Sequence, residues 1–294
     1  MKIQPECLPC LIKRCLYEIE LAGKNREVSK KAMVKAMETL AREFDPSRCS
    51  ASIATEVHRA VYQTLDCKDP YREMKRRSNE VALSLLPKVE AIIKNSRDPL
   101  KAAIVCSIIG NILDFGIKGG SSRPENLEKD FERFYSKGLG YSDYDEFRKL
   151  LLNAKRVTLF TDNCGEIVFD KLLCREIKRL KPELKLTLVV KGEPILSDAT
   201  REDAENLSFR EVVDEIMDTG TFAVGLDIKN MPENLRKNLE ETDLIICKGM
   251  ANYEVFSETS YRPIVYLLRT KCEPIARSIG VKTNISILKL FTQK

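Results

Sequence analysis

The most constraining feature of the sequence is an alternation, from residue 156 onward, between short apolar segments and helical stretches. Nearly continuous apolar segments of this length predict strands that are buried on both faces. The predicted strands are Val157–Thr161, Leu184–Val190, Phe222–Leu226, Asp243–Cys247 and Ile264–Leu268. The predicted helices between them begin near Glu166 or cover Arg201–Glu215 and Pro232–Glu241. This order predicts a Rossmann-like, three-layer α/β/α domain with a mainly parallel sheet over residues 151–294.

The first 150 residues lack such strands and carry the apolar spacing of amphipathic helices. In the segment 29–44, for example, Ala32, Ala36 and Leu40 fall on one helical face. The predicted helices are Ser29–Phe44, Ser52–Leu65, Tyr71–Leu86, Pro99–Phe115 and Glu125–Leu152, the last with a break at 137–140. The sequence therefore predicts an all-helical domain over residues 1–150, ahead of the α/β domain.

Composition narrows the range of partners. The chain has 49 Lys and Arg against 44 Asp and Glu, and because both signs are interspersed we expect no nucleic-acid partner. No window reaches the about 18 consecutive apolar residues that a membrane span needs. The N-terminus also lacks the apolar stretch of a secretory signal. We therefore expect a cytoplasmic protein that acts away from membranes, and the sequence leaves its oligomeric state open.

The chain has one histidine, His58, and ten cysteines. A zinc centre with two or three histidines cannot be built within one such chain. His58 falls in the middle of a predicted helix, and we assign it no catalytic role. Most of the cysteines are expected to be core residues, because a free cysteine behaves as a small hydrophobic side chain.

Polar segments follow three of the predicted strands, at positions 161–166, 191–200 and 248–254. Ligands of open α/β sheets bind outside the carboxyl ends of the strands, so these segments are expected to meet at one site. Asp162, Asn163 and Asp198 would supply carboxylate and amide oxygens, which suit Mg²⁺ or Mn²⁺. The alternative is that Asp162 and Asn163 only cap the following helix.

Lys248 and Gly249 form a pair suited to phosphate, since an ammonium group stands beside backbone that a ligand can approach closely. We expect this lysine at the surface of a cleft. Glu166 is a candidate general base, or else a carboxylate that stabilises the first turn of its helix. The chain has no G-x-G-x-x-G, no P-loop motif and no G-x-S-x-G motif, so three common nucleotide-binding and hydrolase sites are excluded.

Together these segments resemble a known family. D-N-C-G-E at 162–166, Asp198 followed by Ala-Thr, and K-G-M-A-N-Y-E at 248–254 are similar to motifs of the metal-dependent damage-control phosphatases, formerly domain-of-unknown-function family 89. C-L-P-C at 7–10, D-P-Y at 69–71, G-N-I-L-D at 110–114 and R-T-K at 269–271 resemble its CxxC-containing prokaryotic branch. The resemblance covers nearly the whole chain.

The resemblance implies a phosphatase that hydrolyses small phosphometabolites, such as sugar phosphates, cofactor precursors or their damaged forms. It implies one divalent cation (Mn²⁺, Co²⁺, Ni²⁺ or Mg²⁺), with Asp162, Asn163 and Asp198 as ligands and Lys248 as the phosphate-binding lysine. The charge on the transferring phosphoryl group would be neutralised by the metal and this lysine. Both a metal-bound water and Asp162 itself are candidate nucleophiles.

Further residues are candidates for the substrate pocket. Asn252 and Glu254, near Gly249, are expected to line it. Asn111 and Asp114 lie three residues apart in an apolar helix, and they form either a substrate wall supplied by the helical domain or a buried polar network. Arg269 binds the substrate anion or is a solvated strand end.

Cys7 and Cys10 have the C-x-x-C spacing that can hold a metal or form a disulfide, although a structural zinc needs two further ligands. The alternative is a pair of partly buried thiols. These cysteines also define a competing function, a metal- or thiol-linked binding protein without turnover. A Rossmann-type methyltransferase is a weaker alternative, because the glycine-rich first loop is missing.

Overall fold

A computed structural model of the chain describes residues 1–110 and 124–293. Its helices are α1 (Cys7–Ala22), α2 (Arg26–Glu43), α3 (Ser50–Leu65), α4 (Arg72–Lys94), α5 (Pro99–Gly110), α6 (Pro124–Lys137), α7 (Tyr144–Asn153), α8 (Glu166–Leu180), α9 (Arg201–Asn206), α10 (Glu233–Glu240), α11 (Gly249–Phe256) and α12 (Glu273–Ile279). Its strands are β1 (Tyr141–Ser142), β2 (Arg156–Phe160), β3 (Lys185–Val190), β4 (Glu215–Asp218), β5 (Leu244–Lys248), β6 (Ile264–Arg269) and β7 (Ser286–Phe291). In these ranges no helix combines the length and apolar composition that a membrane crossing requires.

The strands form one seven-stranded sheet in the order β1-β7-β6-β5-β2-β3-β4. Every neighbouring pair is parallel except β6 and β7, which run antiparallel. Helices cover the sheet on both faces, so the predicted α/β fold with a mainly parallel sheet is confirmed. From β2 the chain first adds β3 and β4 on one side of the sheet and then returns to add β5, β6 and β7 on the other side. The strand order therefore reverses at β2.

Most of the predicted helices form with shifted ends, whereas the predicted helix 201–215 already ends at Asn206, as α9. In α2, Asn25 accepts a hydrogen bond from the backbone N–H of Val28 (3.0 Å), which caps the helix four residues before the predicted start at Ser29. Helix α4 continues through Pro87 to Lys94, beyond the predicted end at Leu86. Two later residues of this helix, Val89 and Ile93, are buried in the core, and their packing offsets the cost of an internal proline.

The predicted strand Phe222–Leu226 is wrong. This segment makes its contacts with helix α3 instead: the Val224 N–H donates to Thr55 Oγ1 (3.0 Å), and the Phe222 ring packs edge-on against Tyr62. The sheet instead gains three strands that were not predicted, β1, β4 and β7. Strand β4 begins at Glu215, the last residue of the predicted helix 201–215. An apolar run can satisfy its backbone groups on a neighbouring helix as well as in a sheet, so periodicity alone cannot separate the two.

Helices from the first 150 residues share a hydrophobic core with the sheet. Val89 of α4, Ile104 of α5 and Phe147 of α7 belong to the same buried cluster as Leu159 of β2 and the apolar face of α8. Strand β1, which precedes residue 150, pairs with β7. A domain boundary at residue 150 stays a prediction.

Candidate active site

The carboxyl ends of β2 and β3 bring three predicted ligands together. Asp162 and Asn163 directly follow β2, and the loop after β3 returns Asp198 to them: Asn163 and Asp198 form an isolated antiparallel bridge, and the Ala199 N–H donates to the Asp162 carbonyl (2.8 Å). The Ser197 hydroxyl donates to Asn163 Oδ1 (2.6 Å). We refer to Asp162, Asn163 and Asp198 as the acidic site. It lies where the strand order reverses, as expected for a ligand site of an open α/β sheet.

The carboxylates of the acidic site are buried. Burial raises the pKa of Asp162 well above its ordinary value, and the negative charges of Glu166 and Asp198 raise it further. Burial also raises the pKa of Asp198, although the Lys191 ammonium, 3.3 Å from Asp198 Oδ2, opposes this shift. Several carboxyl groups so close together favour a bound cation, which would stabilise their ionised forms. This donor set therefore fits a divalent cation.

The acidic site leaves room only for glycine at position 249. The residue has a positive φ of 74°, and a β-carbon there would overlap the Asp162 carboxylate. The backbone that begins α11 can therefore approach the acidic site closely. This is the close approach that the sequence predicted, but the observed neighbour is a side chain of the protein.

Lys248 differs from its prediction in one respect. It is fully buried, so the expectation of a lysine at the surface of a cleft is wrong. Its ammonium forms an ion pair with Glu166 Oε1 and a second one with Asp170 Oδ1, which lies 2.7 Å away. The ammonium also donates a hydrogen bond to the Ser107 carbonyl (3.2 Å). We refer to Lys248, Glu166 and Asp170 as the ion triad. The predicted phosphate contact of Lys248 stays a prediction.

The ion triad is joined to the acidic site. Burial raises the pKa of Asp170 to about 6 although Lys248 opposes the shift. For Lys248 itself, burial would lower the pKa, but the charges of Asp170 and Glu166 together raise it. The second oxygen of Glu166 accepts long hydrogen bonds from the backbone N–H and the side-chain amide of Asn163 (3.4 Å each). Glu166 thus connects the buried ammonium to a residue of the acidic site.

A cavity of about 530 Å³ opens on the acidic site. All three residues of the acidic site line it, as do Glu254 and Lys271. The first 150 residues supply another part of the lining. Its side chains are apolar or sulfur-containing at Cys7, Cys10, Leu11, Ala54 and Met74, and polar or charged at Glu6, Arg14, Ser50, His58 and Ser78. A ligand in this cavity would be enclosed between the sheet edge and the helical region.

Four of the predicted substrate- and phosphate-binding residues lie outside the cavity lining: Lys248, Gly249, Asn252 and Arg269. Asn252 is buried, and its amide donates to the carbonyls of Thr161 (2.9 Å) and Lys248 (2.8 Å), which joins the ends of two strands. Arg269 places its guanidinium over the Phe134 ring, with 5.2 Å to the ring centroid. Asn111 and Asp114 lie outside the described residues.

Glu254 lines the cavity as predicted. The structure adds that the pKa of its carboxyl group is raised. Burial raises its pKa from 4.5 to about 7, while the charge of the N-terminus opposes the shift. A group with such a pKa can exchange protons near neutral pH. The sequence gave no signal for this property, because it depends on how the first residues of the chain cover α11.

Glu254→Gln should therefore change how stability depends on pH. The folded protein holds a proton on Glu254 that the unfolded chain releases, so wild-type stability should fall as the pH rises from about 4.5 to about 7. Relative to wild type, the glutamine variant should gain on the order of 2 kcal/mol over this interval. Urea unfolding between pH 4.5 and 8 measures it. Glu258→Gln is the control, because Lys2 and the N-terminus hold the pKa of Glu258 below its ordinary value against the effect of burial. Parallel pH profiles for wild type and Glu254→Gln would contradict the assignment.

Cys7 and Cys10 line the same cavity as the acidic site and are free thiols. Cys272 also lines the cavity. A role for Cys7 and Cys10 in metal binding or a disulfide stays a prediction.

The double variant Cys7→Ser Cys10→Ser should retain the turnover that the family resemblance implies. Thiols are soft ligands, whereas the acidic site is rich in hard oxygen ligands, so kcat should change little even if KM moves with the altered cavity wall. Stability should change by about 0.5 kcal/mol or less at the exposed Cys10 and should fall somewhat more at the partly buried Cys7. Steady-state kinetics and thermal unfolding measure both effects. A folded double variant without turnover would show that the cysteines take part in catalysis.

Comparison with known proteins gives a consistent result over the whole chain. Residues 3–287 match the family model described as the damage-control phosphatase ARMT1-like domain. The chain is 41% identical over 290 residues to a damage-control phosphatase of Archaeoglobus fulgidus, with 99% of each sequence covered. It is 32% identical over 282 residues to a damage-control phosphatase of Pyrococcus horikoshii, with 96% of this chain and 95% of the relative covered.

A solved structure gives the same result. The chain matches the crystal structure of a duf89 family protein from Pyrococcus horikoshii with a TM-score of 0.90 and 29% identity, and 99% of each chain is covered. The similarity therefore extends over the helical region as well as the sheet.

Proposed function

The chain belongs to the family of damage-control phosphatases with an ARMT1-like domain, and from this premise we propose that it hydrolyses small phosphate monoesters with one divalent cation. The observation that carries the proposal is the acidic site: Asp162, Asn163 and Asp198 meet at the carboxyl edge of the sheet and open into a cavity of about 530 Å³. That volume suits a phosphorylated metabolite rather than a macromolecule.

The acidic site would hold the cation through oxygens of Asp162, Asn163 and Asp198. A bound Mn²⁺, Co²⁺, Ni²⁺ or Mg²⁺ would neutralise charge on the phosphoryl group and polarise its phosphorus–oxygen bonds. The raised pKa values of Asp162 and Asp198 support this assignment, because carboxyl groups that are costly to ionise alone gain most from a cation.

Three basic or acidic side chains of the protein would serve the substrate. Lys271 lines the cavity and acts on Asp162 as a nearby positive charge, so we propose that it binds the phosphate group. Glu254, with a pKa of about 7, would move a proton to or from the leaving oxygen. Glu166, anchored by Lys248, would orient Asn163.

Two nucleophiles stay open in this proposal. Asp162 can attack phosphorus and form an aspartyl-phosphate, which water then hydrolyses. A water held in the acidic site can instead attack directly. The stereochemical course at phosphorus separates the two routes when it is followed with an isotopically chiral phosphorothioate ester. Two successive in-line displacements, through aspartyl-phosphate, retain the configuration, whereas a single attack by water inverts it.

The proposed activity is tested with full-length protein that has been stripped of metal with a chelator. We expect release of inorganic phosphate from p-nitrophenyl phosphate and from sugar phosphates only after Mn²⁺, Co²⁺, Ni²⁺ or Mg²⁺ is added. Lack of turnover in every combination, from a folded sample, would favour a binding protein without turnover.

A further inference from the structure

A second group of potential metal ligands lies between two helices of the first 150 residues. Cys15 and Glu18 are three residues apart and share the buried face of α1, and His58 faces them from α3. One potential ligand atom from each residue lies within 4.8 Å of the other two. We refer to these three residues as the Cys-Glu-His cluster. It shares no residue with the acidic site.

Burial without hydrogen bonds distinguishes the Cys-Glu-His cluster. Cys15 and Glu18 are fully buried and His58 is 2% exposed. Three polar atoms of the cluster lack a well-aligned hydrogen bond within the part of the chain that the structure describes. They are both carboxylate oxygens of Glu18 and Nδ1 of His58. Nδ1 lies 2.8 Å from Glu18 Oε1, a contact that is close but poorly aligned. A buried carboxylate in this condition is costly unless a cation balances it.

We propose that Cys15, Glu18 and His58 bind one zinc ion. A thiolate, a carboxylate and an imidazole nitrogen are donor types that zinc accepts, and the two negative charges would balance a divalent cation. In a tetrahedral zinc site neighbouring ligand atoms lie roughly 3.5 Å apart, so only small side-chain rotations separate the observed arrangement from a bound one. His58 also lines the cavity, from which water would supply the fourth ligand.

The alternative is an ion pair between protonated His58 and Glu18, with Cys15 as a bystander. The two assignments differ in what Cys15 does. A zinc site needs its thiolate, whereas an ion pair leaves it as a small buried side chain. A measurement that reports on thiolate–metal bonding therefore separates them.

The experiment titrates Co²⁺, a spectroscopic substitute for zinc, into full-length protein stripped of metal. We expect two equivalents to bind, one of them at the acidic site, and the titration to give a near-ultraviolet thiolate-to-cobalt charge-transfer band, which added Zn²⁺ abolishes. The acidic site gives no such band because its ligands are oxygens and it contains no thiolate. Cys15→Ser should lose the band. Cys106→Ser is the matched control, since Cys106 is also fully buried and free but lies in the core beside the sheet, and it should keep the band.

The double variant Cys7→Ser Cys10→Ser separates this cluster from the other cavity thiols, and it should also keep the band. Lack of a band in wild-type protein would overturn the proposal in favour of the ion pair, whether or not Cys15→Ser folds. Loss of the band in Cys7→Ser Cys10→Ser with retention in Cys15→Ser would overturn it as well. Because the readout is metal binding, it stands independently of any phosphatase activity.

Discussion

Asp162→Asn should abolish metal-dependent phosphatase activity and leave the metal-free protein more stable than wild type. We expect kcat/KM to fall by about 10³-fold or more, because the change removes a charged ligand from the centre that neutralises the phosphoryl group. The gain in stability follows from the raised pKa of Asp162, since asparagine has no charge to be penalised by burial or repelled by Glu166 and Asp198. Steady-state kinetics and urea unfolding of chelated protein measure the two effects.

The stabilising effect of Asp162→Asn should depend on pH. Asp162 in the unfolded chain ionises near its ordinary pKa of 3.8, while the folded protein retains the proton to higher pH. The stabilising effect of Asp162→Asn should therefore be absent below about pH 3.8 and grow toward neutral pH. An active variant, or one that is less stable than wild type at pH 7, would contradict our assignment.

Asp198→Asn is the comparison that the structure adds. It should be equally inactive, but less stable than Asp162→Asn, because it removes the carboxylate 3.3 Å from the buried ammonium of Lys191. Removal of one carboxylate from a group of close carboxylates relieves like-charge repulsion, which by itself would leave stability unchanged or improved. For Asp198 the neighbouring lysine weakens that expectation, since a buried charge left without its partner is costly.

Lys248→Met should cause the largest loss of stability of any change described here. It leaves Glu166 and Asp170 fully buried without their shared ammonium, and breaking a buried ion pair from one side costs about 3–5 kcal/mol. A lysine at the surface of a cleft, as the sequence predicts for Lys248, would instead leave stability nearly unchanged when it is replaced. Activity should fall by about 10²-fold or more, as Glu166 loses the contact that orients it. Urea unfolding at pH 7 and steady-state kinetics measure the two effects.

A compensated variant separates charge from packing. Lys248→Met combined with Glu166→Gln and Asp170→Asn removes all three charges, and replacement of a whole buried ion group is often neutral for stability. We expect this variant to recover most of the lost stability but none of the activity. If Lys248→Met alone is as stable as wild type, the ion triad carries no stability and our reading of it is wrong.

The position of the acidic site followed from sequence because it depends on one rule. Asp162 and Asn163 end one parallel strand and Asp198 follows its neighbour, so pairing of the two strands brings these residues together. The sheet could be predicted for the same reason, since continuous apolar segments have few other stable arrangements. Short edge strands such as β1 and β4 carry too few apolar residues to give a signal.

The direction of side chains could not be read from sequence. Lys248 is the last residue of its strand, and Asp162 lies two residues beyond the end of another strand. The Lys248 ammonium nevertheless contacts α8 and not the cavity, because Glu166 and Asp170 of that helix supply the negative charges that balance it. The Cys-Glu-His cluster was missed for a related reason. Its residues lie on two helices, and only the packing of α1 against α3 brings them together.

The shared cavity has a consequence for the chain as a whole. Cys7 and Cys272 lie 265 positions apart in the sequence but face the same enclosed space. A metabolite that contacts both walls acts as a reversible cross-link between the first and the last helices. Its binding energy then opposes separation of the two ends, by about 2.7 kcal/mol at a hundredfold excess over Kd. The concentration of substrate would thus determine how long the folded enzyme resists proteolysis. The same concentration would determine its rate of turnover.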